Sequence, residues 1–146
     1  MATYVVIGGG LGGARSVEEL RELDGDARIV LIGGEPMLPY ERPPLSKDYL
    51  LGEKQIADFT PLAGSWFADH QVEARLGTFA INLDADERIV HTSDGRSVRY
   101  DGLVLATGSR PRSVDLPGVS RPGVQTLRNL DDADLLKAFL DTGEPS

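Results

Sequence analysis

Three glycines near the start of the chain constrain its fold more than any other feature. Gly8, Gly10 and Gly13 form the pattern G-x-G-x-x-G directly after Thr3–Ile7, an apolar segment typical of a short buried strand. The residues after the glycines carry apolar side chains at helical spacing as far as Asp24. The pattern therefore predicts a strand, a glycine-rich turn and a helix.

A second apolar segment, Arg28–Ile32, extends this pattern to a βαβ unit. Its continuous apolar run is typical of a parallel strand that is covered on both faces. In such a unit the first glycine permits a tight turn, the second lets the backbone approach a pyrophosphate, and the third allows close helix packing. The helix amino terminus offers unpaired N–H groups to the anion. We therefore expect a bound dinucleotide rather than an empty turn.

Glu35 lies 22 residues after Gly13, just beyond the second predicted strand. A carboxylate at this place can accept hydrogen bonds from ribose hydroxyls, and it repels a 2′-phosphate. The site thus favours FAD or NAD over NADP, and these motifs alone leave FAD and NAD open. The alternative for Glu35 is an exposed loop residue with no ligand.

The rest of the sequence predicts a mixed α/β fold. Residues 36–44 contain four prolines and are expected to form an ordered loop, and Ser46 is expected to cap a short helix that ends at Gly52. The further predicted elements are helices at 62–70 and 131–140, and strands at 72–76, 78–83, 88–92, 97–100 and 103–106. Asp94-Gly95 marks a hairpin. The fold class is thus α/β, with a Rossmann-like parallel sheet and an inserted β-hairpin or meander.

Composition excludes several partners and sites. The net charge of −8 disfavours nucleic acid and anionic membranes. No apolar stretch approaches the roughly 20 residues that span a bilayer, and no signal peptide is evident, so a cytoplasmic location is expected. Without cysteine there is no disulfide or thiolate ligand, and His70 and His91 have no neighbouring acids that suggest a metal site or a triad.

Four segments carry a family resemblance. They are residues 39–47 (PYERPPLSK), 47–50 (KDYL), 105–111 (LATGSRP) and 127–133 (LRNLDDA). On these motifs the chain resembles the ferredoxin and rubredoxin reductase family of FAD-dependent pyridine-nucleotide oxidoreductases, over essentially its whole length. The resemblance selects FAD as the cofactor.

The resemblance also implies a set of site residues. The ADP half of FAD would be held by Gly8, Gly10, Leu11, Gly12, Gly13 and Glu35, and further cofactor contacts would come from Lys47, Ala80 and Arg128. Lys47 would lie near the isoalloxazine as the catalytic residue, with an ordinary solvated lysine as the alternative. Arg42 is expected to pair with the pyrophosphate, because a guanidinium presents fixed donors to phosphate. Ala106, Thr107 and Gly108 are expected to line the cofactor cleft at a strand end.

The function implied is an NAD(P)H-dependent flavoprotein reductase. Hydride would pass from NADH to the flavin, and single electrons from there to a ferredoxin- or rubredoxin-type partner. The absence of cysteine disfavours the disulfide-reducing and peroxide-reducing relatives. The alternatives are a non-catalytic FAD-binding fragment or interaction module, and an NAD-binding dehydrogenase domain.

Full-length members of the resembled family are longer than this chain. Residues 1–110 are expected to form the first part of the FAD-binding domain, and residues 111–146 a connector and helix leading toward an absent NAD-binding domain. The fold is then incomplete relative to the family, and the chain alone is expected to be inactive. The strand at 103–106 would be an open sheet edge through which the chain could self-associate.

Overall fold

A computed structural model describes residues 1–142 of the chain. The strands are β1 (Thr3–Ile7), β2 (Arg28–Ile32), β3 (Val72–Arg75), β4 (Ala80–Asp84), β5 (Ile89–Thr92), β6 (Ser97–Arg99) and β7 (Gly102–Leu105). The α-helices are α1 (Leu11–Leu23), α2 (Gly64–Asp69) and α3 (Leu130–Thr142). Two short 3₁₀ helices lie at Pro43–Ser46 and Ile56–Phe59. The predicted mixed α/β fold is confirmed.

The first βαβ unit is confirmed residue by residue. Strand β1 pairs in parallel with β2, from Thr3 opposite Arg28 to Ile7 opposite Ile32. On its other side β1 pairs in parallel with β7, and β3 lies beyond β2, so the sheet order is β3-β2-β1-β7. Because all four strands are parallel, the loops that follow them emerge at the same side of the sheet, where the carboxyl ends of the strands lie. We call this side the carboxyl edge, as distinct from an unpaired edge strand.

The predicted hairpin is also confirmed, within a three-stranded antiparallel sheet of order β4-β5-β6. Gly95 supplies the positive φ of 78° that the turn requires. Arg96 and Thr92 both donate hydrogen bonds to the Asp94 side chain, which holds the pKa of that carboxyl well below its usual range. Arg88 has a φ of 54°, so β5 begins one residue later than predicted.

The helix predicted between Ser46 and Gly52 is wrong. Ser46 is the last residue of a 3₁₀ helix that begins at Pro43, and turns follow as far as Gly52. Proline is favourable at the start of a helix, where its missing N–H costs no hydrogen bond. The helical turn therefore starts at Pro43 and Pro44, which were predicted to belong to the preceding loop.

Alternate residues of the parallel strands build two hydrophobic clusters. Val6 and Leu31 pack on one face of the sheet with Val17 of α1. Val5 packs on the other face with Val90 of the antiparallel sheet. Both faces are covered, which explains the continuous apolar runs of β1 and β2.

The chain divides into two compact units. The first comprises Met1–Glu41 and Thr60–Gly108 and holds both sheets, α1 and α2. The second comprises Arg42–Phe59 and the residues from 109 onward and holds both 3₁₀ helices and α3. Within residues 1–142, every helix is too short or too polar to cross a membrane.

We expect Leu31→Ala to lower the free energy of unfolding by about 2–5 kcal/mol, because Leu31 is fully buried and its removal leaves a cavity. Leu23→Ala is the matched control, since Leu23 is 75% exposed and should change stability by no more than about 0.5 kcal/mol. Urea denaturation of both variants measures the difference. Equal losses would show that the β1–β2–α1 core is not the main source of stability.

Candidate functional site

The turn after β1 is pressed against the end of β7. The N–H of Gly8 donates to the Ile32 carbonyl at 2.8 Å. Gly8 has a φ of 128°, which residues with a side chain rarely adopt. A Cβ at Gly8 would collide with the carbonyl oxygen of Ala106. Only glycine fits here, so Gly8 is explained by backbone packing.

Gly13 and Gly10 differ in what surrounds them. A Cβ at Gly13 would collide with the carbonyl oxygen of Gly8 and would lie 3.3 Å from Leu31 Cδ1, so this glycine lets α1 approach β1. A Cβ at Gly10 would meet nothing within 4 Å. Packing therefore explains the glycine at position 13 and leaves open space at position 10.

The open space at Gly10 lies at the amino terminus of α1. Gly10 is the N-cap residue, and no side chain accepts a capping hydrogen bond there. The first turn carries no acidic residue, and both Leu11 and Gly12 are exposed. The first N–H groups of a helix lack partners within the helix and carry its positive dipole end. This terminus can therefore receive an anion.

Glu35 lies three residues beyond β2, at the carboxyl edge of the sheet, and is half-buried. The Tyr40 hydroxyl, on a ring that is only 2% exposed, donates to Glu35 Oε2 at 2.5 Å. The N–H of Gly77 donates to the Glu35 carbonyl at 2.9 Å. The carboxylate is thus held in a defined orientation. Sequence reasoning assigned no role to Tyr40, although the PYERPPLSK motif contains it.

The residues after β7 complete the carboxyl edge. Ala106 donates its N–H to the Ile7 carbonyl at 2.8 Å, and Thr107 and Gly108 are exposed. Gly108 has a φ of 70°, which turns the chain at this point. The first unit thus brings the glycine-rich turn, Glu35 and residues 106–108 to the carboxyl ends of adjacent parallel strands, where α/β proteins bind ligands.

Ala80 has a structural environment of its own. It begins β4, pairs with Thr92 of β5, and packs against the cluster that contains Val90. These contacts explain a small apolar residue at this position. Its role as a cofactor-lining residue stays a prediction.

Three of the predicted site residues lie in the second unit. Arg42 Nη1 donates to the carbonyl oxygen of Arg128 at 2.6 Å, and Arg128 Nε donates to the carbonyl of Ser109 at 3.1 Å. Lys47 closes the first 3₁₀ helix and is exposed. The fold therefore joins Arg42 to Arg128, and the cofactor roles of all three residues stay predictions.

The start of α3 carries a reciprocal cap that sequence reasoning missed. Asp132 Oδ2 accepts the backbone N–H groups of Arg128 at 2.7 Å and Asn129 at 3.1 Å. In return, Asn129 Oδ1 accepts the N–H of Asp132 at 2.9 Å. The Asn-x-x-Asp spacing in LRNLDDA is a variant of the capping box and could have revealed this contact. The cap fixes the backbone of Arg128.

We call Gly10, the amino terminus of α1 and the Glu35 carboxylate the nucleotide cradle. In the described part of the chain, no three His, Asp or Glu side chains converge as metal ligands. The open space at Gly10, the uncapped helix terminus and the oriented carboxylate of Glu35 suit a pyrophosphate next to a ribose.

Comparison with known proteins agrees with this geometry. The sequence pattern of the family described as pyridine nucleotide-disulphide oxidoreductase matches residues 2–141. The chain is 37% identical over 140 residues to a probable ferredoxin reductase, CtmF, of Castellaniella defragrans, covering 96% of this chain and 34% of that protein. It is 38% identical over 138 residues to the benzene 1,2-dioxygenase system ferredoxin–NAD(+) reductase subunit of Pseudomonas putida, covering 94% and 33%.

A solved structure shows the same fold. The ferredoxin reductase for the CYP199A2 system from Rhodopseudomonas palustris superposes with a TM-score of 0.88 at 33% identity, covering 97% of this chain and 35% of that one. The chain thus spans about a third of the length of the relatives it matches. The family pattern nevertheless extends over nearly all of its 146 residues. The chain therefore belongs to the pyridine nucleotide-disulphide oxidoreductase family.

Proposed function

We propose that this chain is the FAD-binding part of an NAD(P)H-dependent flavoprotein reductase that passes electrons to a ferredoxin- or rubredoxin-type partner. Its family is FAD-dependent and uses NAD(P)H. The relatives from Castellaniella and Pseudomonas are ferredoxin reductases by name. Their names and the nucleotide cradle support the proposal together.

The observation that carries the proposal is the uncapped amino terminus of α1, together with the open space at the motif glycine that begins it. Backbone packing explains Gly8 and Gly13, whereas no neighbouring atom explains the glycine at position 10. This open space lies beside the uncapped N–H groups of α1, where an anion would bind. A dinucleotide pyrophosphate accounts for both the open space and the uncapped terminus.

In this proposal the other site residues contact different parts of FAD. Glu35 would accept hydrogen bonds from the ribose of the ADP half, with Tyr40 holding its carboxylate. Further contacts would come from Leu11, Gly12, Ala80, residues 106–108, Arg42 and Arg128. Lys47 would place its positive charge beside the isoalloxazine. Bound FAD would supply hydride acceptance and single-electron release, and the protein would supply orientation and electrostatics.

We propose the same division of domains that the sequence predicts. Residues 1–110 would form the first part of the FAD-binding domain, and residues 111–146 a connector and helix leading toward an NAD-binding domain. The 146 residues contain one G-x-G-x-x-G motif. NADH would therefore be bound elsewhere in the complete enzyme.

We expect Gly10→Ser to weaken FAD binding at least about tenfold while leaving the unliganded fold intact. Serine is a favoured N-cap residue and the backbone of Gly10 is extended, so stability should stay constant or rise by about a few tenths of a kcal/mol. The hydroxyl would, however, occupy the open space and compete for the N–H groups. Isothermal calorimetry and thermal unfolding measure the two effects.

Gly25→Ser is the matched control for this test. A Cβ at Gly25 also meets nothing within 4 Å, and Gly25 lies at the opposite end of α1. Its substitution should leave the dissociation constant for FAD unchanged. If Gly10→Ser binds FAD as tightly as Gly25→Ser does, the pyrophosphate does not lie at Gly10.

We expect Glu35→Gln to weaken FAD binding by about tenfold, because a neutral amide is a poorer acceptor for ribose hydroxyls than a carboxylate. Glutamine keeps an oxygen that can accept the Tyr40 hydroxyl, so the fold is preserved. Glu22→Gln, on the exposed side of α1, is the control. Equal affinities of the two variants for FAD would remove Glu35 from the site.

We also propose that the 146-residue chain self-associates through β7. Within residues 1–142 this strand pairs with β1 on one side and with no strand on the other. It contains no charge or proline, and Leu105 is 63% exposed. An apolar edge strand without these protections is a template for pairing with another strand.

Light scattering over a range of protein concentrations tests this proposal. The wild-type chain should form dimers or larger species, and Leu105→Lys should shift it toward monomer, because lysine opposes edge pairing. Leu116→Lys changes a residue that is 62% exposed outside the strand, and it should have no such effect. A wild-type chain that stays monomeric at all concentrations would contradict the proposal.

A further inference from the structure

Tyr49 and Asp134 join two distant parts of the second unit. The Tyr49 hydroxyl donates to Asp134 Oδ1 at 2.5 Å, across 85 positions of sequence. This hydrogen bond to a carboxylate, together with partial burial, raises the pKa of Tyr49 to about 12. A tyrosine is protonated at neutral pH even at its usual pKa, and the raised pKa of Tyr49 extends its role as a donor to more alkaline pH.

The ring of Tyr49 is held as well as its hydroxyl. It packs edge-on against Phe59 with centroids 5.7 Å apart, and Lys137 Nζ lies 5.7 Å from its centroid. Asp134 and Lys137 are three residues apart in α3 and so lie on one face of the helix. That face therefore contacts Tyr49 at two points, one polar and one cationic.

The segment that carries Tyr49 has little regular structure of its own. After the first 3₁₀ helix it continues as turns, held by backbone hydrogen bonds between near neighbours. Examples are Tyr49 N–H to the Pro44 carbonyl and Leu51 N–H to the Lys47 carbonyl, each at 3.0 Å. An ion pair between Lys54 and Asp48 at 2.7 Å is also local. Hydrogen bonds to distant residues then join this segment to the rest of the second unit.

Two such contacts flank Lys47. Arg42, five residues before it, donates to the Arg128 carbonyl at 2.6 Å, just ahead of α3. Tyr49, two residues after it, donates to Asp134 within α3. The cap formed by Asn129 and Asp132 fixes the start of that helix. Lys47 thus lies on a short span that is tied to the α3 region on both sides.

We propose that Tyr49, through its hydrogen bond to Asp134, is a positioning residue that holds the Lys47 turn in place for the flavin. The proposal rests on the proposed function, because it takes Lys47 to lie beside the isoalloxazine. Tyr49 itself acts through the backbone of the turn and through α3. Its effect on the cofactor is therefore carried by Lys47.

Amide hydrogen exchange on the chain without FAD tests whether the hydrogen bond between Tyr49 and Asp134 orders the Lys47 turn. Tyr49→Phe keeps the ring against Phe59 and Lys137 and removes only the hydroxyl. The amides of Lys47, Tyr49, Leu51 and Gly52 should then exchange about three- to tenfold faster. Asp134→Ala should match this, whereas Asp134→Asn keeps an acceptor oxygen and should restore most of the protection. Tyr100→Phe, at a half-buried tyrosine of the first unit, is the control.

The midpoint potential of bound FAD tests the consequence. Lys47→Met removes a positive charge and should lower the potential of the flavin in the otherwise wild-type chain. In the Tyr49→Phe background the same substitution should have little effect, because Lys47 is no longer held at the flavin. In the Tyr100→Phe background its effect should be undiminished. A merely stabilising tyrosine would lower stability without removing this coupling.

The outcomes separate the two proposals. Faster exchange in Tyr49→Phe together with loss of the Lys47 effect supports the positioning role. Unchanged exchange, or faster exchange with the Lys47 effect intact, overturns it. A wild-type chain that binds no FAD would refute the proposed function first, and with it the flavin role of Tyr49, and calorimetry of the wild-type chain detects that failure before any variant is made.

Discussion

The approach of Gly13 to the carbonyl of Gly8 is the contact on which the rest of the first unit depends. It lets α1 lie directly against β1, so that Val17 can enter the cluster around Val6 and Leu31. It also aims the amino terminus of α1 at the carboxyl edge of the sheet, where β1, β2 and β7 end. A side chain at position 13 would push the helix outward and would remove both the core packing and the cradle.

Local patterns explain the elements that could be predicted. Apolar runs, the glycine spacing and Asp94-Gly95 depend on neighbours within a few residues, and they correctly gave β1, α1, β2 and the hairpin. The 3₁₀ helix was missed because Pro43 starts a helical turn as readily as it interrupts one. The start of β5 moved by one residue, to Ile89, where Arg88 has a left-handed backbone.

The candidate site was predictable only in part, for a related reason. The glycines and Glu35 have fixed spacings within one βαβ unit, so sequence alone could place them at the carboxyl edge of the sheet. The partners of the site residues are another matter. Tyr40 reaches Glu35 within one irregular loop, and the contacts of Arg42 with Arg128 and of Tyr49 with Asp134 join residues more than eighty positions apart. Sequence periodicity encodes neither kind of contact.

The uncapped start of α1 links the stability of the folded chain to the binding of an anion. The first N–H groups of α1 have no side-chain partner in the folded chain, so an anion that binds them binds the folded form. On the proposed function, FAD binds only the folded form, so it adds to stability by mass action, by about 2.7 kcal/mol at a concentration 100 times its dissociation constant. The steady-state amount of this protein in a cell would then follow the flavin supply, with the nucleotide acting as a folding partner before it acts as a cofactor.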